Sequence, residues 1–131
     1  MANYISFTRS NYFRVTDPEA FKKIINRVIT DEDSLELWER TENGMTYYAF
    51  GAYSSICGLR HEAEDADNDG EFEVEAVYEA LSKVVAPDDA IIITEIGYEK
   101  LRYLTAYAVV ITRTEVEFVE LRSDALDTAQ R

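Results

Sequence analysis

Cysteine, histidine and tryptophan are scarce in this chain of 131 residues, which contains one of each. A single cysteine cannot form an internal disulfide, so we expect a reducing, cytoplasmic location. The apolar runs are too short for a transmembrane span, and the N-terminus lacks the basic region and apolar stretch of a signal peptide. There is also no P-loop and no GxGxxG motif. These absences favour a cytoplasmic protein without disulfides or a nucleotide-binding loop.

Positive charge is also scarce, with 13 Lys and Arg against 26 Asp and Glu and a net charge of −13. The excess is local, because residues 31–99 carry three basic and nineteen acidic side chains. A field of one sign repels nucleic acid and anionic membrane and attracts cations and basic protein surfaces. We therefore expect a basic protein surface as the partner, with no direct binding of nucleic acid or membrane.

The apolar pattern predicts one α+β domain over residues 1–122 and a loose C-terminal tail over 123–131. The predicted element order is β-α-β-β-α-β followed by β-β. Its first six elements match the ferredoxin-like order, and the last two extend the sheet as a C-terminal hairpin or meander. We expect both helices on one face of a mainly antiparallel sheet.

Local signals mark the predicted elements along the chain. Thr16 and Glu19 have the spacing of a capping box, and an apolar stripe from Phe21 to Ile29 predicts the first helix. Asn43-Gly44 predicts a tight hairpin turn. Residues 51–70 are expected to form a long loop. The β-branched run over 90–96 predicts a central strand covered on both faces.

The most specific motif is a D-x-D-x-D-G sequence at residues 65–70. It is the opening of an EF-hand calcium loop, in which Asp65, Asp67 and Asp69 offer carboxylates and Glu71 its backbone carbonyl. The twelfth position, where such loops place a bidentate glutamate, is Ala76. One hypothesis is therefore a weak calcium-binding module, with a dissociation constant of about 10⁻⁴–10⁻³ M.

The leading hypothesis assigns the same residues to a partner rather than to an ion. Glu71, Glu75 and Glu79 recur every four residues on the predicted second helix, so they stack on one face about 6 Å apart. Together with Asp65, Asp67 and Asp69 they form an acidic surface. We expect a non-enzymatic binding protein that presents this surface to a basic protein.

A third hypothesis is a small enzyme. Cys57 and His61 are the only residues of their kinds, and a cysteine–histidine pair can act as nucleophile and base. Their separation of four residues specifies no geometry, and no third residue that would orient the histidine can be named. The sequence therefore favours the absence of catalysis.

Two stretches, Ser10–Val15 followed by Asp17 and Glu99–Tyr103 followed by Val109–Thr112, are similar to small acidic proteins of bacterial phages and mobile elements. That group has no established activity, so the resemblance assigns no site residue. It implies a setting in which some small acidic proteins inhibit host defence nucleases by imitating the charge of DNA. The most concrete form of the leading hypothesis is therefore a DNA-mimic inhibitor of a host nucleic-acid-binding defence protein.

Overall fold

The computed structural model describes residues 5–30, 35–59, 74–99 and 103–120, which form two helices and eight strands. In chain order the elements are β1 (Ile5–Ser10), α1 (Pro18–Arg27), β2 (Val28–Thr30), β3 (Glu36–Glu42), β4 (Met45–Ala52), β5 (Ile56–Leu59), α2 (Val74–Ser82), β6 (Ile91–Glu99), β7 (Tyr103–Ile111) and β8 (Val116–Glu120). The predicted α+β class is confirmed. The predicted calcium loop, His61 and the tail over 123–131 lie outside the described residues.

Six strands form the main sheet in the order β3-β4-β1-β6-β7-β8, with antiparallel pairing throughout. Strand β1 lies between β4 and β6, so Thr8 is paired with Ala52 on one side and with Glu95 on the other. Strands β2 and β5 pair separately as a two-stranded sheet. These two strands are additions to the predicted element order, and the ferredoxin-like order is not confirmed.

The first helix of the structure ends before the end of the apolar stripe that predicted it. Helix α1 ends at Arg27, and Val28 is already extended, with φ −67° and ψ 132°. Val28 and Ile29 instead pair with Leu59 and Gly58 of β5, in the region predicted as a loop. Because β-branched residues suit extended backbone, this short run fits a strand as well as a helical stripe.

The start of α1 corrects a second prediction. Asp17 is the N-cap, and its carboxylate accepts hydrogen bonds from the backbone N–H groups of Glu19 and Ala20 at 3.1 and 3.3 Å. Thr16, the predicted cap, donates its hydroxyl to the carbonyl of Val84 at 3.3 Å. The carboxylate is also the better cap for the positive end of the helix dipole.

The hairpin turn between β3 and β4 is confirmed. Asn43 and Gly44 have φ values of 53° and 78°, and the strands pair from Glu42 with Met45 onward. Two consecutive left-handed residues are the requirement of a primed two-residue turn, which asparagine and glycine meet at low cost.

One hydrophobic core lies between the helices and a single face of the main sheet. Phe13 contacts Phe21 and Phe50 edge to face, with ring centroids 5.4 and 5.9 Å apart. Both helices contribute to this core: α1 through Phe21, Ile24 and Ile25, and α2 through Val77, Tyr78 and Leu81. The helices therefore pack on one face of the sheet, which we call the inner face.

The opposite surface of the main sheet, which we call the outer face, is exposed along β6, in contrast to the prediction for this strand. Ile91 and Ile93 are buried on the inner face, whereas Ile92 and Ile96 are exposed on the outer face. The expectation that this strand is covered on both faces is wrong, because within the described residues both helices lie on the inner face.

Candidate functional site

Two of the predicted acidic residues, Glu75 and Glu79, are exposed on α2. Helix α2 is fixed to the core by Val77 and Leu81, which are fully buried. The two glutamates lie one helical turn apart, about 6 Å along the axis. Asp65, Asp67, Asp69 and Glu71 lie outside the described residues, so their arrangement around α2 stays a prediction.

Glu79 borders a groove of about 580 Å³ between α1 and α2. Small and aliphatic side chains line it, among them Ala20, Ala76 and Ala80. Its charged lining residues carry both signs: Asp17, Glu19 and Glu79 together with Lys23, Arg27 and Lys83. The acidic surface of α2 is thus bordered by cations on its α1 side.

A buried polar cluster lies under β1 on the inner face. Ser6, Thr8 and Ser10 point inward and are each at most 5% exposed. The Thr8 hydroxyl donates to the carbonyl of Ser54 at 2.8 Å, and the hydroxyls of Ser6 and Ser55 lie 2.7 Å apart. Hydrogen bonds are worth most in such buried surroundings. This cluster therefore attaches the segment after β4 to the sheet.

Glu95 extends the polar cluster, because it is paired with Thr8 and is buried on the inner face. Burial, followed by the charges of Glu95 and Glu75, raises the pKa of Tyr78 to about 12. Each of these effects disfavours the tyrosinate. Tyr78 is therefore a neutral side chain at physiological pH.

Cys57, the nucleophile of the enzyme hypothesis, is half-buried in β5, and its thiol donates to the carbonyl of Ser55 at 3.7 Å. His61 lies beyond the described part of the chain, so the Cys57–His61 pair stays a prediction. Across residues 5–30, 35–59, 74–99 and 103–120, no three His, Cys, Asp or Glu side chains form a group that could hold a metal ion. The calcium loop falls outside these ranges and also stays a prediction.

The outer face is a surface that the sequence reading missed. On β1 the usual pattern is inverted, since Ile5 and Phe7 are exposed while Ser6 and Thr8 are buried. Neighbouring strands continue the apolar surface: Ile5 pairs with Tyr98, which pairs with Leu104, and Phe7 pairs with Ile96. Ile96 is 57% exposed and Leu104 is 74% exposed. The alternation of apolar and hydroxyl side chains over residues 5–8 is the sequence feature that could have indicated this surface.

Trp38 lies on the part of the outer face formed by β3 and β4. The ring of Trp38 lies over Gly51, where an added Cβ would stand 3.0 Å from the ring and 2.9 Å from the carbonyl of Thr8. The guanidinium of Arg9 stacks on Trp38 at 4.8 Å, and that of Arg40 on Tyr12 at 4.5 Å. Glycine is required here because it lets the indole approach the backbone.

Comparisons of the chain with protein-family models, with curated protein sequences and with solved structures find no match. None of the helices in the described ranges has the length and apolar content needed to cross a membrane.

Proposed function

We propose that this chain is a non-enzymatic binding protein that presents carboxylates to a basic protein surface. The observation that supports it is the outward position of Glu75 and Glu79 on a helix held by a buried face. A packed helix fixes the backbone positions of its carboxylate side chains before binding, which lowers the entropy cost of association. The net charge of −13 adds long-range attraction for a cationic partner.

The more specific form of the proposal is inhibition of a host nucleic-acid-binding defence protein by mimicry of DNA. Duplex DNA carries one negative charge per about 1.7 Å of axis. Glu75 and Glu79 supply two charges over one helical turn, and Asp65, Asp67, Asp69 and Glu71 precede them in the chain. Glu79 also lines the groove beside α1 together with the cations Lys23, Arg27 and Lys83, which offset part of the negative charge on that side of α2.

The test uses a purified restriction endonuclease with a basic DNA-binding cleft, titrated at several salt concentrations. The variant Glu75→Gln/Glu79→Gln should bind about 2- to 30-fold more weakly, since each partly exposed ion pair contributes about 0.2–1 kcal/mol. Duplex DNA should displace the chain from the enzyme. Affinity should also fall with rising salt.

The matched control is Glu36→Gln/Glu42→Gln, which removes the same charge from exposed positions on the edge strand β3. This variant should keep the affinity of the original chain. If both variants weakened binding equally, the interaction would depend on net charge alone and not on the position of the carboxylates on α2. Binding that ignores both salt and competing DNA would contradict the proposal.

A further inference from the structure

We propose that the outer face of the main sheet packs against the same face of a second copy of this chain. The resulting homodimer would have four layers, with the two sheets inside and the helices outside. The inference is independent of the proposed function, because Glu75 and Glu79 belong to the helical layer on the opposite side of the sheet.

The first argument is the inverted burial of β1. Burial of Ile or Phe side chains stabilises a fold by about 1.5–3 kcal/mol each, yet Ile5 and Phe7 are exposed while hydroxyl side chains face the core. Monomeric proteins rarely expose contiguous apolar patches of this kind. Covering this face recovers the hydrophobic free energy that the inner face does not supply.

The second argument is area. The six strands of the main sheet contain 44 residues. At about 3.3 Å of rise and 4.8 Å of strand spacing per residue, the face measures about 700 Å². A stable interface of standard size buries about 800 Å² per partner. A second sheet of the same dimensions therefore covers the face at the scale that a stable dimer needs.

The third argument is charge. Among the described residues, the charged side chains of the outer face are Arg9, Arg40, Glu36, Glu42 and Glu117, which sum to −1. Two chains of net charge −13 repel one another over most of their surfaces, and the repulsion is smallest where the contact itself is neutral. Because this face is nearly neutral, it favours a second copy as its occupant over a basic partner.

The strand order also allows a self-complementary arrangement. A two-fold axis parallel to the strands, between β1 and β6, places β1 of each copy over β6 of the other. Phe7 then faces Ile96 of the other copy, and Ile5 faces Tyr98. The same axis places Arg40 on β3 over β8, which carries Glu117. Aligned packing of two sheets about 10 Å apart is a common arrangement of this kind.

The test is sedimentation equilibrium of the full chain over a range of concentrations. We expect a species of twice the 15.0 kDa monomer mass. Ile96→Asp should weaken the dimer by about a hundredfold, because an isologous contact carries each substitution twice at its centre. Leu104→Lys, at the most exposed apolar residue of this face, should act in the same direction and is safer for folding.

The control is Val116→Asp. Val116 is β-branched and exposed like Ile96, but it pairs with Ile111 and therefore faces the helical side of β8. It should leave dimerisation unchanged, as should Glu75→Gln/Glu79→Gln. A monomer at all concentrations would overturn the proposal, even if the face bound detergent or another protein. A dimer lost in Val116→Asp but kept in Ile96→Asp and Leu104→Lys would also overturn it.

Discussion

The two faces of the main sheet use opposite chemistry on the same strand. Toward the helices, β1 presents Ser6 and Thr8, which hydrogen-bond to the segment after β4. Away from the helices it presents Ile5 and Phe7, which no described element covers. The comparison shows that burial along β1 follows the position of the helices rather than the polarity of each side chain. The outer face is therefore the part of the described molecule that most needs a partner.

The largest expected effect is on the free energy of unfolding, when one aromatic side chain on each face is truncated to alanine. Phe50→Ala removes a fully buried ring and should lower the free energy of unfolding by about 3–5 kcal/mol. Phe7→Ala, on the outer face, should cost much less at low protein concentration. Its cost should rise with concentration when a second copy covers the face, because association stabilises the folded state. Urea unfolding at two concentrations measures both, and equal costs would contradict the distinction between the faces.

A smaller effect is expected from removal of one hydroxyl on each face. Thr8→Val deletes the donor to the Ser54 carbonyl and should lower the free energy of unfolding by about 1–3 kcal/mol. Thr94→Val is the matched control, since Thr94 is exposed on the neighbouring strand β6. It should change stability by less than about 0.5 kcal/mol. Chemical denaturation measures the free energy of unfolding of both variants. An unchanged value for Thr8→Val would show that the buried hydroxyl of Thr8 does not stabilise the fold.

The smallest effect concerns pH and reports on the inner face alone. The pKa of Tyr78 is raised to about 12 in the folded protein, mainly by burial, whereas an unfolded tyrosine titrates near pH 10. The folded state thus retains a proton that the unfolded state loses, so this contribution to stability is complete below about pH 10 and declines up to about pH 12. Tyr78→Phe should reduce the decline measured in urea at pH 9 to 12. A decline that Tyr78→Phe leaves unchanged would contradict this assignment.

Features that depend on residues close together in the chain could be predicted from the sequence. Asn43-Gly44 specified the hairpin because both positions need left-handed backbone, and the apolar spacing of Phe21, Ile24 and Ile25 specified the buried side of α1. The exposed positions of Glu75 and Glu79 also agree with the predicted pattern. These features depend on neighbours within a few residues, which the sequence displays directly.

Features that depend on contacts between distant parts of the chain could not be predicted in the same way. Val28 fits an apolar helical stripe as well as a strand, and its pairing with Leu59 is a contact across 31 residues. The isoleucine run of β6 suggested cover on both faces, although the helices cover one. Which face remains open is decided by where the helices pack, and a repeat within one strand carries no information about that.

The position of Trp38 has an optical consequence. It is the sole tryptophan of the chain, and it lies on the outer face over Gly51 with the Arg9 guanidinium stacked on its indole ring. The tryptophan emission of this protein therefore originates beside the apolar surface and on the side of the sheet away from the helices. A molecule that covers this surface changes the solvent around the single tryptophan, so selective excitation of Trp38 reports on occupancy of the outer face.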